Sequence, residues 1–140
     1  MLNIENLTDL KLDFTTLFKI TEELTTREVE LTICDNKKIR GYNLKFRGED
    51  SPTDVLSFPI VTEVETLPLG SILISADKVE EGAKEFNHSK EDEMALLFIH
   101  GLLHLLGFDH EIDSGEMRDR ERELIERFNL PKSLIVRAKN

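Results

Sequence analysis

The chain alternates between two hydrophobic periods, and the places where it switches mark its elements. Leu2 and Ile4 stand between polar neighbours, the two-residue period of a strand over residues 2–6. Leu10, Phe14, Leu17, Phe18 and Leu24 follow at helical spacing, which predicts a helix over about 9–25. Val29, Leu31 and Ile33 then alternate with Glu28, Glu30 and Thr32, a strand with one buried face. Asp35 or Asn36 can cap the next helix, which places Ile39, Tyr42 and Phe46 inward and ends near Gly48, before Pro52. Thr53 to Phe58 is a short β-rich run closed by Pro59, so it reads as an edge strand or a strand end.

Residues 60–69 have no clean period and form a connection. Gly70 opens the continuous run Ser71-Ile72-Leu73-Ile74-Ser75, suited to a central strand. Ser75 caps a helix whose inward residues are Val79, Ala83 and Phe86. Ser89 with Asp92 resembles a capping box, and Glu91, Asp92 and Glu93 add negative charge at the positive end of the helix dipole. The helix that starts there is apolar nearly all round from Met94, the pattern of a central, covered helix. Asp113-Ser114-Gly115-Glu116 is a second capping pattern. It opens an amphipathic helix with Met117, Leu124, Ile125 and Phe128 inward and a mixed Glu/Arg face outward, read as solvated i,i+4 pairs. Strands and helices mix without strict alternation. The expected fold is therefore α+β in one domain over residues 1–140, a small mixed sheet of about four strands packed with about five helices around the central one.

Three of the four histidines lie in the eleven residues His100-Gly101-Leu102-Leu103-His104-Leu105-Leu106-Gly107-Phe108-Asp109-His110. His100 and His104 are one helical turn apart, about 6 Å of rise, so their rings leave the same face. Gly107 can adopt a left-handed conformation, end the helix and return His110 toward the pair. An H-x-x-x-H pair alone reads as two hydrogen-bonded core histidines. A third after a helix-ending glycine points to one divalent ion, zinc by donor type, held by His100, His104 and His110 with a fourth position open. His88 has no neighbour at ligand spacing and reads as a surface histidine.

Bulk properties narrow the partners. The net charge of −10 argues against broad, nonspecific binding to nucleic acid. The charge is uneven, however: Lys37, Lys38, Arg40, Lys45 and Arg47 form a basic island without an acidic residue, either a solvated helix face or a phosphate-contacting patch. No apolar run has the length of a membrane span, the N-terminus lacks the order of a signal peptide, and the single cysteine, Cys34, fits a reducing compartment and a small buried role. A cytoplasmic protein without membrane association is expected.

The run HGLLHLLGFDH resembles the signature H-G-x-L-H-L-x-G-[YF]-D-H of the YbeY family of bacterial ribosome-maturation proteins. A second block, Phe46-Arg47-Gly48-Glu49-Asp50-Ser51-Pro52-Thr53-Asp54-Val55-Leu56-Ser57-Phe58-Pro59, resembles that family's Y-R-G-x-D-x-P-T-[DN]-V-L-S-F-P. Chain length and element order agree too. One departure is Gly70-Ser71, where the family commonly has Gly-Asp. The resemblance implies zinc on His100, His104 and His110, and the family's important arginine at Arg47. It also implies single-strand-specific endoribonuclease activity in maturation of the 3′ end of small-subunit ribosomal RNA and in ribosome quality control. The implied partners are ribosomal RNA and the small subunit with its proteins.

The histidine spacing is shared with metzincin proteases, but those carry glutamate as general base where this chain has Gly101. Peptide hydrolysis needs that proton carrier. A noncatalytic assembly factor with a structural zinc is the other alternative, although structural sites commonly have four protein ligands, often including cysteine. Arg47 has a bland reading as an ion pair with Glu49, Asp50 or Asp54, and Asp109 reads as a turn cap or a group orienting a ligand. Met117 reads as an ordinary core methionine.

Overall fold

The structure is a computed structural model that describes residues 1–109 and 114–135. Four strands form one mixed sheet: β1 (Leu2–Asn6), β2 (Val29–Cys34), β3 (Val55–Pro59) and β4 (Gly70–Ser75), in the order β1-β2-β4-β3. β1, β2 and β4 run parallel, and β3 returns antiparallel along β4, with Val55 opposite Ile74 and Pro59 opposite Gly70. Among the described residues the helices are α1 (Thr15–Leu24), α2 (Asn36–Arg47), α3 (Ala76–Glu85), α4 (Lys90–Leu105) and α5 (Glu116–Arg127), with residues 133–135 also helical.

The expected α+β architecture is the one observed. β4 is central and continuously apolar because both its edges are paired and both its faces covered. β3 is an edge strand, and Pro59 ends it where a missing N–H does no harm. Val29, Leu31, Ile33, Ile72 and Ile74 point to one face of the sheet. There they meet Leu17 and Ile20 of α1, Val79 of α3, the α4 residues Phe98, Ile99, Leu102 and Leu103, and Met117, Leu124 and Ile125 of α5. α2 covers the other face, over Cys34, Leu56 and Leu73 through Ile39.

α4 is the central helix, with Met94 to Ile99 and Gly101 to Leu103 all buried. Its close seat on the sheet depends on Gly101. A Cβ there would lie 3.0 Å from Ile72 Cγ2, 3.1 Å from Ser57 Oγ and 3.3 Å from Val55 Cγ2. Ser57 Oγ donates to the Gly101 carbonyl at 3.2 Å, which ties α4 to the edge strand at the same point.

Four local expectations differ from the structure. α1 begins at Thr15, because the Asp13 carboxylate accepts from the Thr15 N–H and hydroxyl in a side-chain turn, and Leu10 and Leu12 pack on the core from the preceding loop. Phe46 is 54% exposed, while Asn43 takes the inward position on α2 and donates to the Ser51 carbonyl at 2.9 Å. His88 has a side chain only 3% exposed. Its Nε2 lies 2.7 Å from the fully buried Glu93 Oε1, so the chain after α3 folds inward instead of ending in solvent. At α5, Gly115 holds the cap position with φ of 115° and makes no side-chain cap bond; the Glu116 carboxylate accepts from the Ser114 N–H instead. Asp113 of the expected capping pattern lies outside the described residues.

Candidate metal centre

α4 delivers the first two histidines as their spacing requires. The Nε2 atoms of His100 and His104 face each other at 3.2 Å, with the rings inclined at 74°. Two imidazole nitrogens sharing one tetrahedral ion at zinc–nitrogen distances near 2.0–2.1 Å are separated by about 3.3 Å. The observed pair matches that bite. Gly107, with φ of 102°, turns the chain just after α4, as its place in the motif requires. His110 lies outside the described residues, and those alone assemble no group of three metal-binding side chains.

Glu121 holds the far side of His100. Its Oε1 lies 2.8 Å from His100 Nδ1, and its side chain is only 6% exposed. A carboxylate oxygen accepts, so Nδ1–H donates, and the lone pair of a neutral ring is left on Nε2, the atom facing His104. This donor set suits zinc: two imidazole nitrogens at the correct separation, one of them oriented by a carboxylate. Glu121 is not among the expected site residues, because the sequence pattern places the Glu and Arg residues of α5 in solvent. The missed signal is its register. Met117, Glu121, Leu124 and Ile125 follow one helical stripe, and all four are buried.

Beside His104 opens a hollow of about 390 Å³ lined by Arg47, Ser57, Pro59, His104, Gly107, Phe108 and Asp109. Arg47 reaches it from the last turn of α2, the end at which a cation complements the helix dipole. Of the ion pairs weighed for Arg47, the one to Asp50 is taken by another residue. Arg40 Nε donates to Asp50 Oδ1 at 2.7 Å, and this hydrogen bond and its charge hold the Asp50 carboxyl below the usual carboxylate range. Among the described residues Arg47 forms no ion pair. The structure thus brings Arg47, His104 and Asp109 to one hollow and places His100 against His104.

Ser71 lies on the other face of the sheet, in a more apolar hollow with Lys38, Tyr42, Phe46, Phe58 and Leu73. Cys34 is fully buried, as expected, and burial with the nearby Asp35 charge pushes its thiol up to about 11. Among the described residues no helix is long and apolar enough to cross a membrane.

The family model described as endoribonuclease YbeY matches residues 2–129. The chain belongs to the endoribonuclease YbeY family. Members of that name from Sulfurovum sp. (strain NBC37-1) and Aliarcobacter butzleri (strain RM4018) are 54% and 56% identical to it. They align over 98% of this chain and over 97% and 99% of their own lengths. A Thermotoga maritima protein known from its solution structure is 31% identical and superposes with a TM-score of 0.62, covering 91% of this chain and 89% of its own. A metzincin-type glutamate is absent from position 101, where a Cβ would crowd Ile72, Ser57 and Val55 of the sheet.

Proposed function

We propose that the protein is a zinc-dependent endoribonuclease that cuts unpaired RNA, with the immature 3′ end of small-subunit ribosomal RNA as its substrate. In this reading it works in the cytoplasm on the small ribosomal subunit and contributes to ribosome quality control. The observation that carries the reading is the 3.2 Å pair of Nε2 atoms beside an arginine-lined hollow.

His100 and His104 would hold the ion together with His110, which the motif supplies. Zinc bound there supplies Lewis acidity toward a phosphoryl oxygen or a water molecule. Arg47 presents a planar, permanently charged fork that binds two nonbridging oxygens of the scissile phosphate and stabilises the negative charge that grows on them during cleavage. RNA brings its own 2′-hydroxyl next to each phosphate, so the hollow needs no protein nucleophile. The hollow is open and sits at the sheet edge, which suits a single strand that can bend into it. Of the five basic residues of α2, Arg47 lines this hollow, a local positive charge on a protein of net charge −10.

The test is cleavage of a ribosomal RNA fragment carrying its unprocessed 3′ end, by zinc-loaded wild type and by His104→Ala purified in parallel. Cleavage by wild type alone is expected. Equal cleavage by the two proteins, or none by wild type on either the fragment or assembled small subunits, would overturn the proposal.

A further inference from the structure

We propose that Glu121 is a positioning residue for the metal centre: through His100 it sets which ring nitrogen is offered to the ion and makes the docking of α5 part of the site. The inference rests on the zinc reading above and extends it to a residue outside the histidine motif.

Three observations carry it. First, the contact is short and directional, 2.8 Å from Glu121 Oε1 to His100 Nδ1, so it selects the tautomer with Nδ1–H and an Nε2 lone pair. Second, Glu121 lies on the buried stripe of α5 between Met117 and Leu124, both fully buried, where an aliphatic side chain would suit packing better. A carboxylate there loses its hydration, and among the described residues the ring that donates to it is itself only partly exposed. A divalent charge on the far side of that ring offsets this cost, because the carboxylate polarises the imidazole toward the cation. Third, the position is connected to the chemistry by chain geometry. α4 carries His100 and His104 and α5 carries Glu121, so the His100–Glu121 contact ties the two helices together at the site. Metal binding and the seating of α5 on α4 are thus one linked equilibrium.

Zinc affinity, measured by competition with a chromophoric chelator, separates this role from a packing role. The proteins are wild type, His104→Ala, Glu121→Gln and Glu121→Leu. Leucine fills the apolar stripe and removes the acceptor, so the metal-free Glu121→Leu protein should be as stable as wild type, or more so, in thermal unfolding. Its zinc affinity should nevertheless fall roughly 10- to 100-fold. Glutamine retains a carbonyl oxygen for Nδ1–H and should recover most of that loss. Nitrogen-15 shifts of His100 in the metal-free proteins should report Nδ1–H in wild type and a tautomer mixture in Glu121→Leu. Unchanged zinc affinity and an unchanged His100 tautomer in Glu121→Leu would overturn the inference while wild type still binds one zinc that His104→Ala does not. Failure of wild type to bind zinc would instead overturn the metal reading itself, and this inference with it.

Discussion

Two glycines inside helices should respond in opposite directions to the same substitution. Replacing an interior helical glycine with alanine gains about 1 kcal/mol of helix propensity when nothing else changes. Gly41 in α2 is exposed and has no atom within 4 Å of where its Cβ would lie. Gly41→Ala should therefore stabilise the protein by about 1 kcal/mol, near 3 °C in Tm for a chain of this size. Gly82 in α3 packs against Glu93 of α4. A Cβ there would stand 2.5 Å from Glu93 Cδ and 3.1 Å from its Cγ. Restoring an ordinary carbon contact of about 3.5 Å requires the carboxylate to retreat by about 1 Å. It is fully buried and held 2.7 Å from His88 Nε2, so that retreat stretches the bond beyond hydrogen-bonding range. Losing a buried hydrogen bond to a charged group costs about 1.5–3 kcal/mol. After the propensity gain, Gly82→Ala should destabilise by about 0.5–2 kcal/mol, a fall in Tm of roughly 2–6 °C. Urea unfolding of both variants, with Gly82→Ala repeated in a Glu93→Ala background, measures the coupling. With the carboxylate gone, the same substitution should turn neutral or stabilising. A Gly82→Ala protein more stable than wild type would refute the reasoning.

Three further outcomes follow from the site and the core. Arg47→Ala should slow RNA cleavage by about 10²–10³-fold, with Arg47→Lys intermediate, while zinc content and Tm stay at wild-type values; an unchanged rate removes Arg47 from the chemistry. Burial holds the Cys34 thiol up at about 11 against an ordinary 9.0, so the folded chain keeps a proton that the unfolded chain loses first. Stability conferred by that neutral thiol is complete below pH 9 and declines as pH rises toward 11, by up to about 3 kcal/mol. The difference in unfolding free energy between wild type and Cys34→Ala across pH 8–11 should show that slope, and a flat difference would refute it. Gly101→Glu should restore the metzincin pattern in sequence only. It forces a side chain into Ile72 and Val55, destabilises by about 3 kcal/mol or more, and yields no hydrolysis of a fluorogenic peptide.

Much of the site was legible because its signals are local. A one-turn separation determines that His100 and His104 share a face wherever the helix goes, and Gly107 has the φ that the turn needs. The caps at Asp35, Ser75 and Ser89 were readable for the same reason: each hydroxyl or carboxylate accepts from an N–H three residues ahead. The family resemblance, carried by two contiguous blocks, was legible in the same way.

What escaped the sequence involved partners distant along the chain. Glu121 and His100 are 21 residues apart; the stripe of α5 marks Glu121 as inward, but only the seating of α4 against it supplies the partner. His88 found Glu93 because the chain folds inward after α3, and Asn43 takes an inward position on α2 because its amide reaches a carbonyl in the following loop. The sequence by itself determined the elements, most of their inward faces and the placing of His100 and His104 on one helix face, since periodicity and capping act within one or two turns. Only the tertiary structure decided which charges are buried and paired and that Arg47 and His104 share one hollow. Those outcomes depend on desolvation and close packing between segments that meet only when the chain has folded.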